Sequence, residues 1–359
     1  MTNSDFIPGP AGALPESGAF RWEAPSNIAL VKYWGKKAGQ IPMNPSVSFT
    51  LDACATRTEL RFRKKQGTAA PSFEVFLGGT PAPHFRGKIQ SFFERILPYQ
   101  PFLSQYEFEI HTENTFPHSS GIASSASGMA ALALCLVELE KAVYPDLDPE
   151  FARRKASFLA RLGSGSAARS TEGGLVHWGA WESVPGSSDL YGVSYPFEVH
   201  PVFASFRDTI LLVDKGEKQV SSTAGHGLMN GHPYAKARFA QAGARIDALH
   251  PVFREGDLQA FVELVESEAL TLHAMMMTSS PYYILMKPAT LRVIEHIWEF
   301  RRSESIPLCF TLDAGANVHV LYPEEYEKQA YAFIGETLLP FCQDRQHICD
   351  RVGPGPKRG

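Results

Sequence analysis

Cysteine is scarce in this chain and badly placed for structural work. Cys54, Cys135, Cys309, Cys342 and Cys349 are scattered over 359 positions, odd in number and without a Cys-x-x-Cys pair. That pattern argues against a disulfide framework and a zinc site, and makes a reducing cytoplasm the expected compartment. Long apolar runs are missing too. The longest, around Ala130 to Val137, is too short to cross a bilayer. The opening Met1-Thr-Asn-Ser-Asp-Phe-Ile-Pro-Gly-Pro lacks a basic region followed by an apolar core, so no secretory signal and no membrane partner are expected. Positive charge is not in excess: 34 Lys and Arg against 38 Asp and Glu leave a net charge of −4. With no dense basic stripe, nucleic acid drops out as a partner. His111, His118, His177, His273 and His319 stand isolated, with no helical His-x-x-x-His pair, and read as packing or surface residues. The Met275–Met277 run, with Leu272 one turn upstream, reads as helix core.

What is present describes a globular chain long enough for two domains. Residues 1–19 and 353–359, rich in Pro and Gly, read as a loose extension and a flexible tail. Strands are expected at Asn27–Tyr33, Ser46–Leu51, Arg57–Arg63, Phe73–Leu77, from Tyr106, and at Leu175–Trp181. Helices are expected at Lys88–Leu97, around the apolar Met129–Leu139, and at Pro149–Leu162. The back half carries a strand at Thr209–Val213 and helical spacing at Tyr234–Leu249, Leu258–Met275 and Ala289–Phe300. Paired strands follow around Cys309–Asp313 and Asn317–Tyr322, with a last helix opening at Pro323. Strands and helices mixed without regular alternation indicate an α+β fold. The expected division is 20–200 and 201–352, with a boundary near 195–205.

Four segments carry chemistry. Between the alternating strand Tyr106-Glu-Phe-Glu-Ile-His-Thr and the apolar helix lies Asn114-Thr-Phe-Pro117-His-Ser-Ser-Gly121-Ile122-Ala-Ser124-Ser125-Ala-Ser-Gly128. Small residues let backbone N–H groups approach an anion, and a helix N-terminus adds unpaired donors and positive partial charge. Ser124 or Ser125 could then offer a hydroxyl to a phosphate oxygen or to its magnesium ion. From composition alone, a loop and an N-cap explain the cluster equally well. Asn27-Ile-Ala-Leu-Val-Lys32-Tyr33-Trp34-Gly35-Lys36-Lys37 ends a strand in three cations, which suits a multiply charged phosphate. Taken alone it reads more readily as a solvated strand end with Trp34 in the core. Gly163-Ser164-Gly165-Ser166-Ala-Ala-Arg169 makes a compact turn in which an arginine can fork onto phosphate oxygens, although a plain linker has the same composition. Thr311-Leu-Asp313-Ala-Gly-Ala-Asn317 delivers a carboxylate at a strand end. Such an aspartate commonly just shapes its turn; beside lysines it can also serve as a general base.

The order Pro-x-x-x-Gly-Ile-x-Ser-Ser-Ala resembles the phosphate loop of the GHMP kinase superfamily, with Ile122 where Leu is usual. Together with the Lys-Tyr-Trp-Gly-Lys, Gly-Ser-Gly-Ser-Ala-Ala-Arg and Asp-Ala-Gly-Ala-Asn segments, it resembles the diphosphomevalonate decarboxylase family of that superfamily. The likeness runs from about Trp22 to Tyr322 and includes Val220-Ser-Ser-Thr-Ala-Gly225 and His273-Ala-Met-Met-Met-Thr-Ser-Ser-Pro281. The resemblance implies a two-domain GHMP-kinase-like fold, with a ribosomal-protein-like N-terminal domain and a ferredoxin-like C-terminal domain. It implies ATP and Mg2+ as cofactors, (R)-5-diphosphomevalonate as substrate, isopentenyl diphosphate and CO2 as products, and a homodimer. Carried over residue by residue, it makes Asp313 the group facing the tertiary hydroxyl and Lys32 its catalytic neighbour. Tyr33, Lys36, Ser164, Ser166, Arg169 and Ser222 would bind substrate. Asn114, Gly121, Ser124 and Ser125 would bind nucleotide, with Ser125 also toward the metal. Three positions depart from the pattern: His226 where methionine is common, Ala316 for a frequent proline, and Thr223 where some bacterial members carry arginine. A related small-molecule kinase, or a decarboxylase acting on the monophosphate, is the alternative enzyme. A non-catalytic scaffold would predict a damaged loop or a lost aspartate, and neither is seen.

Overall fold

The computed structural model describes residues 1–67, 70–117, 122–216 and 222–359, with only the backbone of 222 and 223. Two antiparallel-dominated sheets organise it. Strand β1 (Ser17–Val31) and β2 (Ser46–Lys64) form a long hairpin. β2 is not two strands, as its pattern predicts, but one strand that changes partners along its length. Its first part pairs with β6 (Leu175–Trp178), and its last part with β5 (Tyr106–Asn114). The register shifts in β1 between Pro25 and Asn27 and between Ala29 and Val31, and such bulges bend a strand. β3 (Ser72–Leu77) and β4 (Thr80–Pro81) extend this sheet beyond β5, while β7 (Gly192–Ser194) pairs with β6.

One face of the sheet is covered by α1 (Arg86–Ile96), α2 (Ser124–Val143) and α3 (Pro149–Gly163). The middle of α2 is buried all round, as its unbroken apolar composition demands. Both chain ends correct their expectation. Phe6 is fully buried and stacks on Phe158 at 4.1 Å. At the other end, β12 (Lys357–Arg358) pairs with Trp22 and Glu23 of β1. The termini are packed because apolar and strand-forming residues punctuate their Pro/Gly-rich composition.

The second sheet has the order β11-β8-β10-β9, from β8 (Arg207–Leu211), β9 (Cys309–Leu312), β10 (Val318–Tyr322) and β11 (His347–Arg351). Against it and the first sheet pack α5 (Ala235–Glu255), α6 (Leu258–Met277) and α7 (Pro288–Glu304). The short α4 (Ser222–Gly227) and α8 (Glu327–Phe333) complete the helices that concern the site and the rim. Among the described residues, no helix is long and apolar enough to cross a membrane.

Asp350 of β11 joins the two sheets. The bulged register of β1 leaves residues 52–54 of β2 outside the ladder. The Asp350 carboxylate accepts their N–H groups, from Asp52 at 2.9 Å, Ala53 at 2.8 Å and Cys54 at 2.7 Å. Removing it would strand the buried Cys54 N–H and leave those of Asp52 and Ala53 to water alone. Asp350→Ala is expected to lower stability by roughly 2–4 kcal/mol in urea denaturation. A change below about 0.5 kcal/mol, the range of an ordinary surface substitution, would show that these donors have other acceptors.

Candidate active site

Lys32 is the first residue beyond β1, and both its main chain and its side chain bond to the second half of the molecule. Its N–H donates to Glu268 Oε2 at 2.8 Å, and its carbonyl accepts from Arg238 Nη2 at 3.1 Å. Asn44 Nδ2 adds a second bond to that carbonyl, at 2.9 Å. Glu268 and Arg238 form a bidentate pair at 2.8 and 2.6 Å, both side chains fully enclosed. Breaking such a pair from one side typically costs ~3–5 kcal/mol, because the survivor is a buried unpaired charge. The strand end is therefore clamped onto α5 and α6.

The clamp fixes where the amine goes. Lys32 Nζ lies 3.0 Å from Asp313 Oδ1, with the lysine buried and the carboxylate about a quarter exposed. Burial lowers the lysine's pKa, and Asp313 opposes that shift by charge and hydrogen bonding. Asp313 follows β9, which carries it to the sheet end. Its carbonyl accepts from Gly315 N at 2.7 Å and from His273 Nε2 at 3.1 Å. Burial pushes His273 down to about 4, so at neutral pH its Nε2 proton is the one donated to this carbonyl.

Around the pair lies a cavity of about 180 Å³. The structure brings Lys32, Tyr33, Lys36, Ser125, Ser164, Ser166, Arg169 and Asp313 to its wall, which are residues the sequence singles out from four separate segments. Arg169 uses Nε and Nη1 on Ser48 (3.0 Å), Asn27 (3.3 Å) and Ser46 (2.6 Å), which sets the plane of its guanidinium over Trp178. The Tyr33 hydroxyl is buried without a protein partner among the described residues, in contact range of Gly165. A Cβ at Gly165 would stand 2.6 Å from that hydroxyl, so the Gly-Ser-Gly-Ser turn is glycine-rich for close approach to Tyr33.

A second, mainly apolar cavity of about 190 Å³ adjoins the first, lined by Asn114 and Ser124 together with Val75, Leu77, Ile89 and Met129. Ser125 and Lys88 line both. Ser125 Oγ lies 3.2 Å from Ser164 Oγ, at the N-terminal turn of α2. Ser26 Oγ ties the approach to that turn to β1 through the Ile122 carbonyl at 2.5 Å. Gly121 lies outside the described residues, as does the side chain of Ser222. Among the described residues no cluster of three metal-ligating side chains exists. The Ser125 hydroxyl, where the two cavities meet, fits a magnesium ion otherwise held by phosphate oxygens, as hard Mg2+ commonly is.

Sequence reasoning missed several wall residues. Lys88 reads as an ordinary solvated helix lysine and is exposed, yet it lies where the two cavities meet and lines both. Gln40, on a short turn tethered by Arg161 to the Gly39 carbonyl, also lines the wall. Glu268 and Arg238 carried no local signal, since their partner is more than 200 residues away. His226 was visible only as a departure from pattern.

The chain matches the family described as "Diphosphomevalonate decarboxylase-like N-terminal domain" over residues 24–189 and "Mevalonate 5-diphosphate decarboxylase C-terminal domain" over 209–354. It is 31% identical over 353 residues to a diphosphomevalonate decarboxylase from Ganoderma lucidum, covering 92% of this chain and 84% of that one. It is 29% identical over 302 residues to a phosphomevalonate decarboxylase from Haloferax volcanii, covering 83% and 86%. A solved structure described as "MDDEF in complex with MVAPP, AMPPCP and Magnesium" superposes with a TM-score of 0.81 at 27% identity, covering 96% of this chain and 99% of the other. With both halves matched in order and the paired lysine and aspartate at their junction, this chain belongs to the diphosphomevalonate decarboxylase family.

Proposed function

We propose that the protein converts (R)-5-diphosphomevalonate to isopentenyl diphosphate, CO2 and phosphate at the expense of ATP. The observation that carries this reading is the 3.0 Å contact between Lys32 and Asp313, in a cavity joined at Ser125 to a second one. An alcohol phosphorylated in place needs a base at its hydroxyl, cations around the transferring group, and two ligands meeting end to end. The arrangement offers each. The apolar cavity beside Asn114 and Ser124 suits a nucleoside, and the α2 N-terminus with Ser124, Ser125 and Lys88 suits its phosphates. ATP bound with Mg2+ supplies the phosphoryl group and neutralises the charge of its transfer.

On the other side, Asp313 accepts the proton of the tertiary hydroxyl as that oxygen attacks the terminal phosphorus. Lys32 keeps Asp313 ionised and oriented. The C–O bond to the new phosphate then breaks. The electron pair of the C–carboxylate bond becomes the alkene as CO2 leaves. Ser164, Ser166 and Arg169 grip the acid portion, while Tyr33 and Lys36 hold the diphosphate. The Tyr33 hydroxyl supports that role, because a buried donor without an acceptor among the described residues gains one when an anion arrives. The family resemblance further supports a homodimer working in the cytoplasm.

Decarboxylation of the 5-monophosphate is the second reading, favoured by the likeness to the Haloferax volcanii enzyme. CO2 release and ADP formation measured with each mevalonate phosphate separate the two, and the diphosphate is expected to be preferred. In the same assay Asp313→Asn should lower kcat by about 10²–10⁴-fold, and more than Ser166→Ala does. Equal, minor effects of the two substitutions would remove Asp313 from the mechanism.

A further inference from the structure

His226 has no role in the reaction as derived so far, yet its surroundings specify its protonation atom by atom. Helix α4 can lie against Trp34 only because residue 225 is glycine. A Cβ there would stand 2.7 Å from the Trp34 ring and 2.6 Å from the Tyr283 hydroxyl. The next residue's imidazole is thereby inserted between Tyr33 and Trp34, with ring centroids at 4.4 and 4.5 Å. Gly35 N–H donates to its Nδ1 at 2.9 Å. A nitrogen that accepts a hydrogen bond carries no proton, so in the neutral ring the proton sits on Nε2. Burial, reinforced by Lys36 and Arg169, pushes the imidazole down to about 3 and keeps it neutral.

The Nε2–H donor has no partner among the described residues, although the side chain is more than nine-tenths buried and lines the substrate cavity. Simple packing between two aromatic rings would explain the stacking. It would not explain why the backbone selects one tautomer and leaves its donor facing a cavity lined by the cations Lys32, Lys36 and Arg169 as well as by Asp313 and the turn serines. We propose that His226 binds substrate by donating its Nε2 proton to the terminal phosphate of the diphosphate. The terminal phosphate is favoured over the carboxylate because His226 shares its part of the wall with Tyr33, Trp34 and Lys36, whereas the reacting carbon must sit at Lys32 and Asp313. A neutral donor beside Lys36 adds direction without adding charge, and so helps tell a diphosphate from a monophosphate.

This inference rests on the reaction proposed above, and the test separates the two. His226→Phe keeps a ring between Tyr33 and Trp34 but has no donor. KM for (R)-5-diphosphomevalonate should rise about 10–100-fold, the usual effect of losing a hydrogen bond to a charged group. KM for the monophosphate should change less than threefold. His226→Gln, which offers an amide N–H near the Nε2 position, should recover most of the diphosphate affinity. His226→Met replaces the Phe variant in the comparison if that protein does not fold. Unchanged KM in the donor-free variant, or an equal rise for both substrates, would overturn the proposal. Calorimetric binding of diphosphomevalonate to wild type and variant reads the same contact without turnover. A wild-type protein that binds the diphosphate but releases no CO2 would refute the reaction and leave the His226 contact standing.

Discussion

The backbone of Lys32 is where the two halves of the molecule are joined for chemistry. A strand of the first sheet ends there, and its last polar groups find partners on helices of the second half, Glu268 on its N–H and Arg238 on its carbonyl, with Asn44 of the segment before β2 also on that carbonyl. Burying the Glu268–Arg238 pair away from water is costly unless every lone pair and proton is satisfied. The pair meets most of that demand by bonding each other and the strand end. Its geometry is thus coupled to the placement of Lys32, and through Lys32 to Asp313. A stability argument alone would favour apolar residues at these positions. The ion pair is better explained by the register it imposes between a strand end and a turn that come from opposite halves.

The rest of the site follows from that register. Once Lys32 is fixed, Tyr33 and Trp34 leave the strand on opposite sides of His226, and Tyr33 meets the glycine turn that carries Ser164 and Ser166. Arg169 is held by hydroxyls from β2 and by Asn27 of β1, so the first sheet itself sets its orientation. The helix α2 adds its N-terminus at the wall shared with the apolar cavity, where Lys88 of α1 also stands. A phosphate donor in one cavity and an alcohol acceptor in the other can meet at that wall.

Much of this was readable in the chain, and for identifiable reasons. Strand alternation and the helical spacing of α3 and α6 are local signals, and those helices fall within two residues of expectation, whereas β1 begins ten residues before the expected Asn27. Lys32, Tyr33, Lys36, Ser125, Arg169 and Asp313 could be named because each lies in a short segment whose composition suits anion binding, and family resemblance joined the segments. What failed to show was nonlocal. The β2 segment has the pattern of two strands because the change of partner at its bend interrupts the alternation, and only the position of Asp350, some 300 residues on, explains why the bend is stable. Lys88, Glu268 and Arg238 have unremarkable neighbours in sequence. Their place at the site is decided by elements that meet them only in the folded chain.

A structure of the protein with diphosphomevalonate and a non-hydrolysable ATP analogue tests the account most directly. The tertiary hydroxyl oxygen should lie within hydrogen-bond reach of the Asp313 carboxylate, about 2.6–3.2 Å. The terminal phosphorus of the nucleotide should stand beside Ser125, in line with that oxygen. A hydroxyl bound away from Asp313, with the Lys32 contact undisturbed, would contradict the assignment of this pair as the reacting centre.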